Sequence, residues 1–229
     1  MRSIRVLLLG AAGLLLPALA ASGAVIAGRL LLAEPGKAGA AATADPGRAA
    51  VWFEPAAAPA SADAAKLRPV VAEMTTVKKQ FSPQVLVVPV GSTVRFTNND
   101  PILHNAFSVS GKNAFDSGLV GGGGVKEAVF REPGIVRVFC NVHHAMFAHV
   151  VVVDTPWSAQ PDARGAFRID GVPAGKGTLW YWHERAEPKS MPVTLPLAAP
   201  LDLKLVLDKP RVPPHKNKFG KSYSGGGYG

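Results

Sequence analysis

The chain has 229 residues, a formal net charge of +9 at neutral pH and one cysteine. A single cysteine excludes an internal disulfide, so each folded part must be stabilised by a hydrophobic core. Five of the basic residues lie within positions 209–229, which contain no acidic residue, so the rest of the chain is only mildly basic. The overall charge is therefore a poor argument for nucleic-acid binding.

Residues 1–28 have the pattern of an export segment. Arg2 and Arg5 precede an uncharged run over residues 6–28, and Ala18-Leu19-Ala20 places small residues where a signal peptide is cleaved. The run reaches the roughly 20 residues needed to span a bilayer, so an uncleaved anchor, and with it a membrane tether, is the alternative. Either form delivers the remaining chain outside the cytoplasm, which predicts a periplasmic protein.

Residues 29–65 are rich in Ala, Pro and Gly with scattered charges. Such a composition buries too little apolar surface to offset the entropy of ordering, and it predicts a semi-extended linker. Val51-Trp52-Phe53 interrupts this linker with three large apolar residues. They are interpreted as a packing spot on the following domain, with a small docking site as the alternative.

Residues 66–154 have the pattern of an antiparallel β-sandwich. Short segments rich in β-branched residues alternate with Pro, Gly and Asn, which predicts strands near 70–77, 84–90, 92–97, 126–130 and 135–140. In the last of these, Val136, Val138 and Cys140 share one face and Arg137 points away, so the thiol is expected to face inward. Four glycines at 121–124 favour a flexible hairpin over a phosphate-binding loop, because a strand is predicted after them.

The loop after this last strand contains a thiol, an imidazole and a thioether. Cys140, His143 and Met146 follow one another at intervals of three residues, and His104 lies in a separate upstream loop. A trigonal His2Cys set with a weak axial Met suits copper in both of its oxidation states. A closed structural zinc site normally recruits more than one thiolate and has no use for Met. Ligation of a metal also accounts for an unpaired cysteine in an oxidising compartment.

The Cys-x2-His-x2-Met spacing, with a His-Asn pair in the upstream loop, resembles the cupredoxins of the plastocyanin and amicyanin type. This resemblance covers residues 66–154 and implies a Greek-key sandwich that holds one mononuclear copper ion. The implied ligands are His104, Cys140, His143 and Met146. The resemblance also implies that Asn105 braces the loop carrying the cysteine.

One position departs from that family pattern. Amicyanin-like loops usually have Pro after the second His, and this chain has His144 there. The ligand therefore remains open between His143 and His144. His143 is favoured because its three-residue offset from Cys140 is the one seen in the family.

Residues 155–208 predict a second, smaller β unit, with a turn-rich segment at 162–175, an aromatic strand at 178–184 and strands at 191–195 and 201–207. It resembles the prealbumin-like, carboxypeptidase-regulatory-type modules, and chains that join a cupredoxin to such a module often carry names linked to methylamine utilisation. The consecutive aromatics Trp180, Tyr181 and Trp182 alternate between the two faces of their strand. They are expected to face a core or a neighbouring domain, with stacking on a sugar as the alternative. His183 has no convergent partner and is expected to be structural. Residues 209–229 form a basic, Gly/Ser/Tyr-rich tail that is predicted to be disordered.

Three hypotheses for the function follow. The cupredoxin resemblance implies a periplasmic carrier that passes single electrons between transient protein partners. No enzymatic activity is implied, because four protein ligands leave copper no open position for a substrate. The alternative is an exported binding protein whose β modules recognise a polysaccharide or an envelope protein, with copper structural or absent. Copper delivery is a third hypothesis, and the buried thiolate argues against it.

Overall fold

The computed structural model describes residues 23–36, 44–57 and 66–223. This part of the chain is all-β, and its helical content is limited to two single 3-10 turns. The strands are β1 Ala24–Ala33, β2 Ala49–Pro55, β3 Val71–Val77, β4 Gln80–Ser82, β5 Val85–Pro89, β6 Thr93–Asn98, β7 His104–Ser108, β8 Phe115–Val120, β9 Val125–Val129, β10 Gly134–Phe139, β11 Phe147–Val153, β12 Ser158–Ala159, β13 Ala166–Val172, β14 Gly175–His183, β15 Lys189–Leu195 and β16 Leu201–Val206. Across these ranges, no helix is long and apolar enough to cross a bilayer.

The first sandwich is built from two sheets, with strand orders β5-β11-β10-β7-β8 and β4-β3-β6-β9. The predicted alternation in β10 is confirmed: Val136 and Val138 are buried with Cys140 in the core, and Arg137 is exposed. The glycines at 121–124 connect β8 to β9, but these strands lie at the edges of different sheets, so the segment crosses from one sheet to the other and is not the predicted hairpin. The sandwich thus fixes the side of the sheet on which the thiol lies.

Strand β11 is buried along its entire length. One face packs into the core of the first sandwich, and the other packs against the second module in a cluster with Ala50 and Trp182. A strand covered on both faces has no need for polar residues at alternate positions. The four valines at the end of β11 fit this double burial. Through them, β11 contacts the cores on both of its sides and joins the two modules.

The second sandwich has strand orders β13-β1-β16 and β12-β2-β14-β15 around its own core. Two of its strands correct the sequence prediction. Strand β1 lies between β13 and β16 and pairs with both. The sequence had instead predicted that its residues 24–28 belong to the export segment and its residues 29–33 to the linker. Ile26 and Leu30 point into the core, so the strand packs these apolar side chains against protein. The export prediction for residues 1–22 lies outside the described residues.

Strand β2 also lies within residues 29–65, which were predicted to be a linker, and it is the second feature that corrects this prediction. It pairs with β12 and β14, with Val51 and Phe53 buried in the core of the second module. Trp52 lies on the opposite face and stacks on Trp180, with ring centroids 6.1 Å apart. The second module is therefore assembled from residues on both sides of the first sandwich, which is inserted between β2 and β12.

Strand β14 carries the aromatic residues that were predicted to face a core or a neighbouring domain. Tyr181 packs in the core of the second module, and Trp182 packs at the interface with the first sandwich. His183 Nε2 lies 3.2 Å from the Asp45 carbonyl oxygen, and its Nδ1 accepts a hydrogen bond from the Arg185 N–H at 3.1 Å. His183 therefore connects local backbone.

The structure also corrects the prediction for the C-terminal tail. Residues 209–223 were predicted to be disordered, but they lie against the first sandwich. The His215 ring stacks on Phe139 at a centroid distance of 3.9 Å, and Lys218 pairs with Asp116 at 2.7 Å. A basic composition predicts poor core formation, yet a few specific contacts with a folded surface are sufficient here. Residues 224–229 lie outside the described residues.

Candidate metal centre

The loop between β10 and β11 positions three of the predicted donors. Phe139 and Phe147 pair across the two strands, so the intervening residues must turn within a short span. The Cys140 N–H donates to the Met146 carbonyl and the Met146 N–H donates to the His143 carbonyl, each at 3.1 Å. These two backbone bonds hold the loop in a compact turn with both sulfur-bearing residues at its base.

The fourth donor comes from the first residue of β7. That strand pairs with β10, and the pairing brings His104 beside the cysteine loop. The Sγ atom of Cys140 lies 3.9 Å from His104 Nδ1 and 3.8 Å from His143 Nδ1. One donor atom from each of these residues lies within 4.8 Å of the other two. A single ion can therefore be reached by all three side chains.

Met146 completes the predicted set. Its side chain is fully buried, and it belongs to the same core cluster as Cys140. Cys140 is also fully buried and His104 is 2% exposed, whereas His143 is half-buried. The centre is thus enclosed by protein, except on the side of His143.

His143 and His144 occupy different environments. His143 faces Cys140, with its ring centroid 4.9 Å from that of His104. His144 is exposed and stacks on His215 in the tail, with centroids 4.7 Å apart and planes 5° from parallel. The geometry therefore places His143, and not His144, with the other donors.

Asp100 orients the imidazole of His104. Its Oδ2 atom lies 2.8 Å from His104 Nε2. Because a carboxylate only accepts, the proton belongs on Nε2, and the lone pair of Nδ1 is directed toward the cysteine. Burial alone would raise the pKa of Asp100, but hydrogen bonds from the Lys79 N–H, His104 and the Lys78 N–H lower it below its ordinary value. Asp100 therefore remains a charged acceptor.

Asn105 connects the two loops that carry the donors. Its Oδ1 accepts a hydrogen bond from the Asn141 N–H at 3.3 Å, next to Cys140. Its Nδ2 donates to Asp116 Oδ1 at 2.7 Å and to the Gly118 carbonyl at 2.9 Å. The structure thus places Asn105 where a brace for the cysteine loop is expected.

The pKa of His143 is lowered chiefly by burial, with further contributions from the charges of His104 and Lys79, while Asp100 acts in the opposite direction. The neutral imidazole is the form that binds metals. Two imidazoles, one thiol and a buried thioether suit copper, whereas a structural zinc site normally uses more thiolates. The residues present therefore fit a copper ion.

Sequence reasoning missed Asp100 and the contacts from the tail. Asp100 precedes His104 by four residues in a loop, a spacing that by itself carries no ligand signal. The tail residues reach the centre from more than 70 positions further along the chain. No local pattern could have indicated either contact.

No protein-family model matches the chain, and no curated protein matches it. The solved structures to which it is similar include cupredoxins and a copper enzyme. A purple cupredoxin from Nitrosopumilus maritimus is 30% identical, and the match covers 36% of this chain and 99% of that one, with a TM-score of 0.32. A reduced amicyanin variant is 26% identical over 39% of this chain and 89% of that one, with a TM-score of 0.35. A copper-containing nitrite reductase from Thermus scotoductus SA-01 is 30% identical over 44% of this chain and 25% of that one, also with a TM-score of 0.35.

Proposed function

We propose that this chain is a mononuclear type 1 copper protein that carries single electrons between partner proteins and has no enzymatic activity. The supporting observation is the convergence of one donor atom each from His104, Cys140 and His143 within 4.8 Å. The ion bound there would supply one-electron exchange between Cu(I) and Cu(II). The fully buried Met146 is the proposed axial ligand.

The surrounding protein is suited to holding the donors in one arrangement. His104 and Cys140 lie at strand ends, and both are buried. Asp100 holds one imidazole, and two backbone bonds close the loop that carries the other. A rigid set of ligands limits the rearrangement that accompanies a change of oxidation state, which favours rapid electron transfer.

Electrons would leave through His143, the donor nearest to solvent. Exposed apolar side chains lie beside the ligands in the chain: Ile102 and Leu103 precede His104, and Val142 precedes His143. Redox partners typically associate transiently through small interfaces. An apolar surface around a half-buried imidazole suits such brief docking.

A periplasmic location is part of the proposal. It is supported by the basic residues and the uncharged run at the N-terminus and by the single cysteine, which metal ligation would occupy. The N-terminal segment would be either cleaved or retained as a tether. Fractionation of cells that express the full chain distinguishes the two forms from a cytoplasmic protein.

The test is to load the purified protein with Cu(II) and record its visible spectrum. We expect an intense thiolate-to-copper charge-transfer band that disappears on mild reduction and returns on oxidation. Cys140→Ser removes the thiolate and should abolish the band, and the zinc-loaded wild type should also lack it. A wild type without the band, or a band that persists in Cys140→Ser, would overturn the proposal.

A second candidate function is the binding of a polysaccharide or an envelope partner. It is favoured by a cleft of about 600 Å³ between the modules, which the parallel rings of Trp52 and Trp180 help to line. Aromatic rings are suited to stacking on sugars. Binding of a polysaccharide that survives removal of the metal and is lost in Trp180→Ala would support this function, and its absence would exclude it.

A further inference from the structure

The C-terminal segment 209–223 contacts the loop that carries Cys140 and His143, and it also contacts Asp116 in β8. The hydroxyl of Tyr223 donates to the carbonyl of Cys140 at 2.9 Å. The ring of His215 lies between Phe139 and His144, with centroid distances of 3.9 and 4.7 Å. The cysteine loop is therefore covered on one side by residues that follow the second module in the chain.

Four residues form a closed ring of hydrogen bonds that joins this segment to β8, to the strand β7 that carries His104, and to the cysteine loop. Lys218 Nζ lies 2.7 Å from Asp116 Oδ2, and Asn105 Nδ2 donates to Asp116 Oδ1 at 2.7 Å. The Asn141 N–H donates to Asn105 Oδ1 at 3.3 Å, and the Lys218 N–H donates to Asn141 Oδ1 at 3.0 Å. Each of the four residues takes part in two of these hydrogen bonds, so the ring is closed.

The position of this ring relates it to the donors. Asn105 directly follows His104, and Asn141 directly follows Cys140. A bond between the two asparagines therefore sets the separation of the two donor-bearing segments. Lys218 supports that bond from both sides, through its backbone N–H on Asn141 and through its ammonium group by way of Asp116.

The charge on Asp116 strengthens the ring. Burial by itself would raise the pKa of Asp116, but hydrogen bonds from Lys218, the Gly118 N–H and Asn105 lower it below its ordinary value. Hydrogen bonds to a charged acceptor are stronger than neutral ones. The Lys218 side chain is 24% exposed and the Asp116 side chain 44%, so the shielding of the pair from water is partial and lies mainly on the lysine side.

We infer that the C-terminal segment is a clip that holds the cysteine loop against the strand carrying His104, with Lys218 and Tyr223 as positioning residues. Neither side chain is among the donors, so both act through the segments that they hold. The effect on redox properties rests on the proposed copper function. The mechanical part of the inference, restraint of the cysteine loop, applies to the metal-free protein as well. Hydrogen bonds around the cysteine tune the potential of such copper sites.

The first measurement is amide hydrogen exchange of the full-length, metal-free protein. Lys218→Met keeps the length of the side chain and removes its charge. We expect exchange at the Asn141 amide to be about tenfold faster in this variant, since a charge-assisted bond supporting it is lost. Lys218→Arg should restore slow exchange. Lys216→Met, a change at an exposed lysine two positions earlier, should have no effect.

The second measurement is made on the copper-loaded protein. Lys218→Met and Tyr223→Phe should each shift both the reduction potential and the energy of the thiolate band, while Lys216→Met should leave both unchanged. Unchanged exchange at Asn141 in Lys218→Met would overturn the clip. Faster exchange without any spectroscopic or redox shift would overturn its role in positioning. A wild type that lacks the band but shows the exchange effect would overturn only the copper function.

Discussion

His104 has a separate role for each nitrogen of its ring. Nε2 lies 2.8 Å from Asp100, and Nδ1 lies 3.9 Å from the sulfur of Cys140. A carboxylate on one side of an imidazole fixes its tautomer and its orientation and makes it a better ligand. Asp100 also accepts hydrogen bonds from the backbone N–H groups of Lys78 and Lys79. Both of these lysines have a positive φ angle. The turn between β3 and β4 thus contributes to holding a donor.

The neighbouring histidines of the cysteine loop allow a matched comparison. His143→Ala should weaken copper binding by more than the roughly 10–100-fold typical of losing an outer-sphere partner, because it removes a donor. His144→Ala removes a ring that stacks on the tail and should retain the band. Copper titrations of both variants, followed through the visible band, provide the measurement. The opposite pattern would assign the ligand role to His144.

At the level of strands, β1 shows how closely the second module is assembled. It runs parallel to β16, with Gly28 paired to Leu201, and antiparallel to β13. A Cβ atom on Gly28 would overlap the Leu201 carbonyl oxygen. The glycine therefore permits a close approach between neighbouring strands.

Gly28→Ala should lower the free energy of unfolding by about 1–3 kcal/mol, because the neighbouring backbone has to shift. Gly121→Ala is the matched control, since its added methyl group would meet only Leu103 Cδ2 at an ordinary 3.9 Å. Urea denaturation of both variants measures the difference. Equal stability of the two variants would argue against β1 as an interior strand.

At the level of the whole molecule, the two modules meet at a surface that contains buried titratable groups. Burial is the main cause that lowers the pKa of His149 to about 3 and that of His183 to about 4. The charges of Arg137, Lys209 and His183 lower the pKa of His149 further. Burial also raises the pKa of Glu184, which lines a cleft together with His149, although Arg48 opposes that shift. The interface therefore favours neutral side chains.

These shifts predict acid sensitivity of the metal-free protein. An unfolded histidine titrates near pH 6.5, so between that value and about pH 3 the unfolded chain binds more protons than the folded one. The stabilising contribution is complete above pH 6.5 and is lost as the pH falls through this window. His149 alone should contribute a loss of about 2–3 kcal/mol between pH 7 and pH 4.5.

Urea denaturation at several pH values tests this prediction. His149→Gln should show a shallower loss of stability below pH 6.5 than the wild type, whatever its stability at pH 7. Glu184 titrates in the opposite sense, but it is present in both proteins, so the difference between their slopes isolates His149. Parallel pH profiles for the two proteins would contradict the assignment.

Local patterns were sufficient to predict several features. The alternation Val136, Arg137, Val138 predicted the inward face of β10, and the spacing of Cys140, His143 and Met146 predicted a compact loop of donors. These features depend on neighbours within a few residues. The tail and β1 were predicted wrongly because composition describes average behaviour, whereas their burial depends on distant partners.

The sequence by itself determined the all-β class, the inward direction of the thiol and the donor types available for a metal, because strand periodicity and side-chain chemistry are local properties. Only the tertiary structure decided that β1 and β2 belong to the second module, that His143 rather than His144 lies against His104, and that Lys218 links the cysteine loop to Asp116 in β8. Each of these depends on contacts between residues far apart in the chain. Such contacts form only where the folded sheets bring those residues together.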